Sequence, residues 1–520
     1  MIVTNGYRPH PADSQVFQER PLTAFPATVV PAACGYVEPM RHDEYRRYDG
    51  LGLAELVRTG EVTPSELLDL ALEAAASTDD RIAAIVYQQP DRARRAIAAG
   101  LPDGPFTGVP FLIKDLGCEA VDFPTSMGSK LYRDYRYTTD CELFIRLERA
   151  GLVTFGRTTS PEFGIGPTGE ASVYGRPTRN PWNLGRVAGG SSSGSAAAVA
   201  AGVVPIAHGS DGGGSVRIPA SSCGLFGLKP TRARLPDGPN AGEGWAGMAI
   251  DGYLTRSVRD TAALVDATQG PDIGAPYYAP PLAGRLAAAI AADPPRLRIA
   301  YSVLSFTGDP VHPDCRAAVM DTASMCSELG HEIVETDPKV DINTFMRAWT
   351  NIVACGTELT VRSRQTELGR ADVDDSIDGV TRGAVALGRT ISGADYLDGI
   401  NTVHRIGREM ARFLDDERGF DMLLTATLAE PPAEIGRFAP VNDDFVDYRM
   451  GPHGVLAYSP FTALANGTGQ PAMSVPMYRN ADGLPIGTHF MARAGEEAVL
   501  LQLAAQLERA RPWFDTVPQL

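Results

Sequence analysis

Two serine-rich stretches and one lysine hold the residue types best suited to chemistry in this chain. Gly189-Gly190-Ser191-Ser192-Ser193 and Asp211-Gly212-Gly213-Gly214-Ser215 flank a segment of small apolar residues. Lys114 ends the run Val109-Pro110-Phe111-Leu112-Ile113. A serine hydroxyl becomes a nucleophile only when a nearby base takes its proton. Glycines before Ser215 let successive N–H groups turn toward one point, as an oxyanion hole requires. The candidate donors are the N–H groups of Gly212, Gly213, Gly214 and Ser215. A lysine desolvated at the end of a central strand gives up its proton more readily and can act as the base. The same pattern fits a lysine that reaches solvent from a strand end or pairs with Asp115. The glycine run also fits a surface turn, although Val203 to Ala207 before it and Val216, Ile218 and Pro219 after it favour burial.

A competing nucleophile is Ser192, because Gly190-Ser191-Ser192-Ser193-Gly194 matches the GxSxG elbow of α/β-hydrolases. That elbow needs a strand directly before it and a histidine downstream. The preceding Asn180 to Arg186 reads as loop, and His404, His453 and His489 stand in no telling context. No GxxxxGK[ST], HExxH or close His/Cys/carboxylate cluster is present, so neither a phosphate-cradling loop nor a metal or cofactor is expected.

The elements that must position these residues follow from local pattern. Thr63-Pro64-Ser65-Glu66 is a capping box with proline at the first helical position, and it opens a helix. Another helix starts near Pro90. Thr107 to Leu116 reads as a buried strand, Glu142 to Ala150 as an amphipathic helix and Leu152 to Phe155 as a strand. Ala196 to Ala201 reads as a tightly packed small-residue helix. An Ala- and Pro-rich connection spans Gly274 to Pro295. Beyond it come strands at Leu297 to Tyr301, Glu332 to Glu335, Met422 to Thr425, Met473 to Pro476 and Ile486 to Met491. Helices are expected around Ala317 to Leu329, over most of 340–420, and from Glu496 to Arg509. Strands alternating with helices predict an α/β fold. Residues 1–48, rich in Pro and polar residues, read as an N-terminal extension or arm.

With 44% apolar and 21% charged residues, the 520-residue chain has the composition of a globular protein. Its net charge of -16 argues against nucleic acid or an anionic membrane as partner. Seven scattered cysteines without a CxxC fit free thiols in a reducing compartment, so a cytoplasmic location is expected. The chain has only four lysines (Lys114, Lys130, Lys229 and Lys339) against 43 arginines. A lysine inside an apolar run was therefore not placed there by abundance.

Several long motifs together resemble the amidase signature family. They are GVPFLIKD (Gly108–Asp115), NPWNLGRVAGGSSSGSAAAVAAG (Asn180–Gly202), GSDGGGSVRIPASSCGLFGLKPT (Gly209–Thr231), LTRSVRD (Leu254–Asp260) and TGQPAMSVP (Thr468–Pro476). The resemblance implies a large central mixed β-sheet surrounded by helices. It implies a single domain over 49–515, with a core motif region at 105–260 and a second lobe at about 296–515. It also implies a Ser–Ser–Lys triad: Lys114 as base, Ser191 behind a cis peptide as relay, and Ser215 as nucleophile. Asp211 and Arg217 are then expected to pair and fix the glycine loop, with Ser192 hydrogen-bonded within the site. Ser193 and Ala233 stand where the family commonly has glycine.

The implied activity is hydrolysis of carboxylic amides through an acyl-enzyme. The motif spelling is most similar to a bacterial branch of 6-aminohexanoate-cyclic-dimer hydrolases, aryl-acylamidases and urethane-cleaving amidases. Candidate pocket residues are Phe163, Ile165, Trp245, Met248, Trp349 and Phe461. They are mainly apolar and aromatic, which fits a hydrophobic or aryl amide, ester or carbamate, although each also fits ordinary core. The expected partner is such a small molecule, and a homodimer is compatible with an N-terminal arm. The alternative is a glutamine amidotransferase subunit of a tRNA-dependent complex, with the same triad.

Overall fold

The structure is a computed structural model that describes residues 40–415 and 419–520. The expected arm lies outside the described residues up to residue 39. Within 40–48, the short helix His42–Tyr45 packs inward and the Tyr45 hydroxyl donates to Val203 O.

The strands in the first half are β1 (Ile85–Val86), β2 (Pro110–Lys114), β3 (Val153–Thr158), β4 (Arg179–Asn180), β5 (Asn183–Val187), β6 (Ile206–Asp211), β7 (Phe226–Lys229) and β8 (Ile250–Thr255). The second half adds β9 (Arg298–Tyr301), β10 (Glu332–Glu335), β11 (Met422–Ala426), β12 (Ala472–Arg479) and β13 (Pro485–Ala492). Eleven of them form one sheet in the order β1-β3-β2-β6-β8-β7-β12-β13-β11-β9-β10. It is mixed, as expected: β2 runs parallel to β3 and β6, while β8 is antiparallel to both β6 and β7. The C-terminal strand β12 pairs with β7, so the sheet runs without a break from the motif region into the second half.

Parallel pairing sets the site. β2 and β6 run side by side in the same direction, so Lys114 and Ser210-Asp211 emerge at the same sheet edge. Ligands of open α/β sheets bind at the carboxyl ends of strands. Every residue of β2 is buried, which its unbroken apolar run anticipates.

The helix Pro64–Ile82 carries the expected capping box: Thr63 Oγ1 accepts from Glu66 N–H, and Glu66 Oε2 accepts from Thr63 N–H. The helix Ser193–Ala200 is buried on all sides. At Gly194 an added Cβ would lie 2.2 Å from Ala84 O, so only glycine permits this approach.

Three segments differ from the sequence reading. Residues 180–186 are not loop; they form most of the hairpin β4–β5, which stands apart from the main sheet. Its strands are polar and half-exposed, without the apolar alternation that signals a strand. β7 and β8 escaped notice for a related reason, since Gly227 and Asp251-Gly252 interrupt their apolar runs.

Candidate active site

Lys114 is fully buried, and its Nζ lies 2.6 Å from Ser191 Oγ and 2.9 Å from Ser210 Oγ. Burial lowers the amine to about 7, against the opposing pull of the Asp251 and Asp211 carboxylates. The alternatives of solvent exposure or pairing with Asp115 are thereby removed. Asp115 is instead held by Thr125 Oγ1 (2.6 Å), Ser126 Oγ (2.5 Å) and Tyr174 OH (2.7 Å). The Gly190–Ser191 peptide is cis.

Ser192 is not poised as a nucleophile. It is fully buried, donates to Ser210 O and accepts from Ser210 N–H, both at 3.2 Å, and so ties the serine turn to β6. Ser193, where the family commonly has glycine, leaves its buried Oγ without a hydrogen-bond partner. Ala233, the other departure, has φ +60°, the left-handed conformation that glycine adopts without penalty.

The glycine loop is built around Asp211. Its Oδ1 accepts from Gly214 N–H (2.7 Å), Arg217 Nη2 (2.8 Å) and Asn466 Nδ2 (2.9 Å). Its Oδ2 accepts from Val216 N–H and Arg217 Nε, both at 3.0 Å. Burial alone would raise this carboxyl, but the Arg217 charge and these donors hold it well below the usual range. Arg217 Nη1 also donates to Thr462 O and to His489 Nε2, which commits His489 to the loop rather than to a serine. His404 and His453 are exposed.

One expected oxyanion donor is spent, because Gly214 N–H belongs to Asp211. The N–H groups of Gly212, Gly213 and Ser215 have no internal acceptor among the described residues. Gly214 has φ +128°, and a Cβ there would meet Thr462 Oγ1 at 2.3 Å. Trp349 Nε1 donates to Gly212 O (3.1 Å) and Thr462 Oγ1 to Gly213 O (2.6 Å), so these carbonyls are fixed.

A cavity of about 270 Å³ contains Ser191, Ser210, Gly212 and Ser215 among its lining residues. Its apolar wall includes Leu116, Met127, Phe163, Trp245 and Ile250. Glu119, Asp237, Glu243 and Asp251 also line it, whereas no arginine, lysine or histidine does among the described residues. Burial, reinforced by Asp251, Asp272 and Glu243, pushes the Asp237 carboxyl up to about 8. A larger cavity of about 340 Å³ beside Tyr87, Ser126 and Tyr174 includes neither Ser191 nor Ser215.

Of the candidate pocket residues, Phe163 and Trp245 line the cavity and four do not. Trp349 stands behind the wall, edge-to-face on Trp245 with ring centroids 5.9 Å apart. Phe461 packs on Phe306 in the core, and Ile165 and Met248 are core residues. Sequence reasoning missed Ser210, His208, Asp251, Thr462 and Asn466. Ser210 sat in plain view beside Asp211; the others reach the site from strand register and from a helix some 250 residues downstream.

The family model for amidases matches residues 66–501. A 6-aminohexanoate-cyclic-dimer hydrolase from Paenarthrobacter ureafaciens is 35% identical over 480 residues, covering 91% of this chain and 96% of the relative. A solved 6-aminohexanoate cyclic dimer hydrolase superposes with a TM-score of 0.86 at 34% identity, covering 91% of this chain and 99% of its own. A bacterial aryl acylamidase of the amidase signature enzymes gives 0.79 at 26% identity, covering 92% and 97%. The eleven-stranded mixed sheet is thus the fold of amidase signature enzymes. The chain belongs to the amidase family and is a hydrolase of amide C–N bonds.

Proposed function

We propose that the chain cleaves hydrophobic or aryl amides, and related esters and carbamates, through a Ser215–Ser191–Lys114 triad and an acyl-enzyme. The observation that carries this is the 2.6 Å approach of a fully buried amine to Ser191, in a cavity shared with Ser215. A neutral amine has one lone pair and two N–H groups. With Ser210 Oγ taking one donor, the lone pair is free to face Ser191. As Ser215 Oγ attacks the carbonyl carbon, its proton passes to Ser191 and that of Ser191 passes to Lys114. The oxyanion rests on the N–H groups of Gly212, Gly213 and Ser215. The ammonium then returns its proton along the same path to the leaving amine, without which an amide C–N bond breaks poorly. Water repeats the sequence on the acyl-enzyme and frees the acid.

Phe163, Trp245, Leu116 and Met127 suit an aliphatic or aryl chain. A cavity lined by carboxylates and, among the described residues, by no arginine, lysine or histidine suits neutral or cationic substrates and opposes the α-carboxylate of free glutamine, which disfavours the amidotransferase reading. The curated relative is named for a cyclic amide dimer, and such nylon-type amides belong in the substrate panel. No helix among the described residues is long and apolar enough to cross a membrane. Free thiols at Cys118, Cys141, Cys223, Cys315, Cys326 and Cys355 support a reducing, cytoplasmic setting. The test is hydrolysis of acyl-anilides, aliphatic amides, carbamates, esters and nylon-type oligomers by wild type and Ser215→Ala. Loss of roughly 10⁴-fold or more in the variant is expected; wild-type rates in Ser215→Ala would sink the triad.

A further inference from the structure

Beneath the amine of Lys114 lies a second set of contacts that the triad does not use. The backbone N–H of Lys114 donates to His208 Nδ1 at 3.2 Å, and His208 Nε2 lies 3.0 Å from Asp251 Oδ1. His208 is fully buried, whereas Asp251 is half-buried and lines the substrate cavity. The tautomer follows from the geometry. A backbone N–H can only donate, so Nδ1 accepts, Nε2 carries the hydrogen, and Asp251 takes it. One chain of contacts therefore runs from the cavity wall through Asp251 and His208 to the strand end that bears Lys114.

We propose that His208 and Asp251 are a positioning pair for Lys114: His208 anchors the end of β2, and Asp251 fixes the His208 tautomer and sets a negative charge beside the amine. The proposal rests on the reading of Lys114 as the base. Without His208 the buried Lys114 N–H would lose this acceptor, at the point where sub-ångström placement of Nζ against Ser191 matters. Asp251 acts on the other end of the reaction. When Lys114 takes the proton it becomes an ammonium in a dry site, and a nearby fixed carboxylate stabilises that charge. Asp211 contributes less freely, because its charge is already engaged by Arg217.

Among the described residues, Asp251 is the anion acting on Lys114 that no arginine holds; its partner is His208. On β2 itself, Asp115 is bound by Thr125, Ser126 and Tyr174. From β3, Arg157 Nη1 donates to Lys114 O at 2.8 Å. β6 supplies His208, Ser210 and the paired Asp211, and the serine turn supplies Ser191. Glu119, Asp237 and Glu243 share the cavity wall with Asp251.

The small number of lysines makes the proposal directly measurable. With ¹³Cε-lysine labelling the full chain gives four signals, and Lys130→Arg, Lys339→Arg and Lys229→Met assign Lys114 by elimination. Asp251→Asn keeps an acceptor for His208 Nε2–H but removes the charge. It is expected to lower the Lys114 titration midpoint by about half a unit or more, to leave Lys229 in place, and to move the acid limb of kcat down by the same amount. His208→Leu should reduce kcat roughly tenfold or more with little change in KM. His208→Asn should recover much of that loss, because its Oδ1 can stand where Nδ1 stood. A Lys114 midpoint that ignores Asp251→Asn overturns the charge role, and His208→Asn no better than His208→Leu overturns the anchor. Lys114→Met separates this from the triad: activity retained there removes Lys114 as base, whereas an unmoved midpoint removes only the charge role of Asp251.

Discussion

Lys114 and Lys229 end two strands of one sheet, both are buried, and burial brings both amines down to about 7. Their surroundings differ. Lys114 Nζ meets two serine hydroxyls beside a cavity, with two carboxylates raising its proton affinity. Lys229 Nζ donates to Pro230 O at 2.7 Å, and Arg217 pushes it further down. Neither Lys229 nor its hydrogen-bond partner Pro230 lines the cavity. A depressed pKa thus reports desolvation, and it becomes a base only where a proton path leads from it to a reacting atom. A third buried basic residue completes the contrast: Arg217, equally buried, meets its counter-charge directly in a two-point pair with Asp211.

The sharpest way to break the comparison is to give both lysines the same substitution. Lys114→Met should lower kcat roughly 10³–10⁴-fold, the scale of losing a general base. Lys229→Met should leave kcat within about threefold. Initial rates on a reactive anilide at pH 8 decide it, and equal losses in the two variants would erase the distinction. The wild-type acid limb should fall near pH 7, since protonation of Lys114 below that pH removes the lone pair.

Much of this contrast was legible in the sequence, because chemistry and motif lie close together along the chain. Val109 to Lys114 announces a buried lysine by its apolar run, and the serines and glycines of 189–217 announce themselves by density. The expectation of Ser191 as the relay, over Ser192 of the GxSxG match, came from family resemblance, not from spacing. What stayed hidden depends on register and on side-chain direction. His208 reaches Lys114 only because β2 and β6 are parallel neighbours, and Asp251 reaches His208 only because β8 pairs with β6. Periodicity assigns an element, but not which strands become neighbours. The aromatics show the same limit: Trp245 and Trp349 touch edge to face, yet only Trp245 lines the cavity. That Gly214 N–H is lost as an expected oxyanion donor was invisible for a simpler reason, since nothing in DGGGS says which amide its aspartate will claim.

Arg217 supplies the second test. Asp211→Asn leaves a buried guanidinium without its counter-charge, and breaking a buried pair in this way costs about 3–5 kcal/mol. Urea unfolding should show a loss of that size, and activity should fall with it as the glycine loop loses its frame. If stability is unchanged, the loop does not depend on the ion pair, and pairing is not what sets Arg217 apart from the two lysines.

The smallest effect tests what the two lysines share. Each has a folded-state value of about 7 against 10.5 for an ordinary lysine. Between these limits the unfolded chain binds more protons than the folded one, so stability rises with pH through that window and is lost as pH falls toward 7. Each lysine contributes a slope of up to about 1.4 kcal/mol per pH unit. Lys229→Met should therefore be more stable than wild type at pH 7, with the advantage shrinking steadily toward pH 9.5, and Lys114→Met should show the same trend. Urea unfolding at three or four pH values in this range suffices. Curves parallel to wild type would mean that the two amines keep their protons in the folded state, and Lys114 would then need another way to receive one from Ser191.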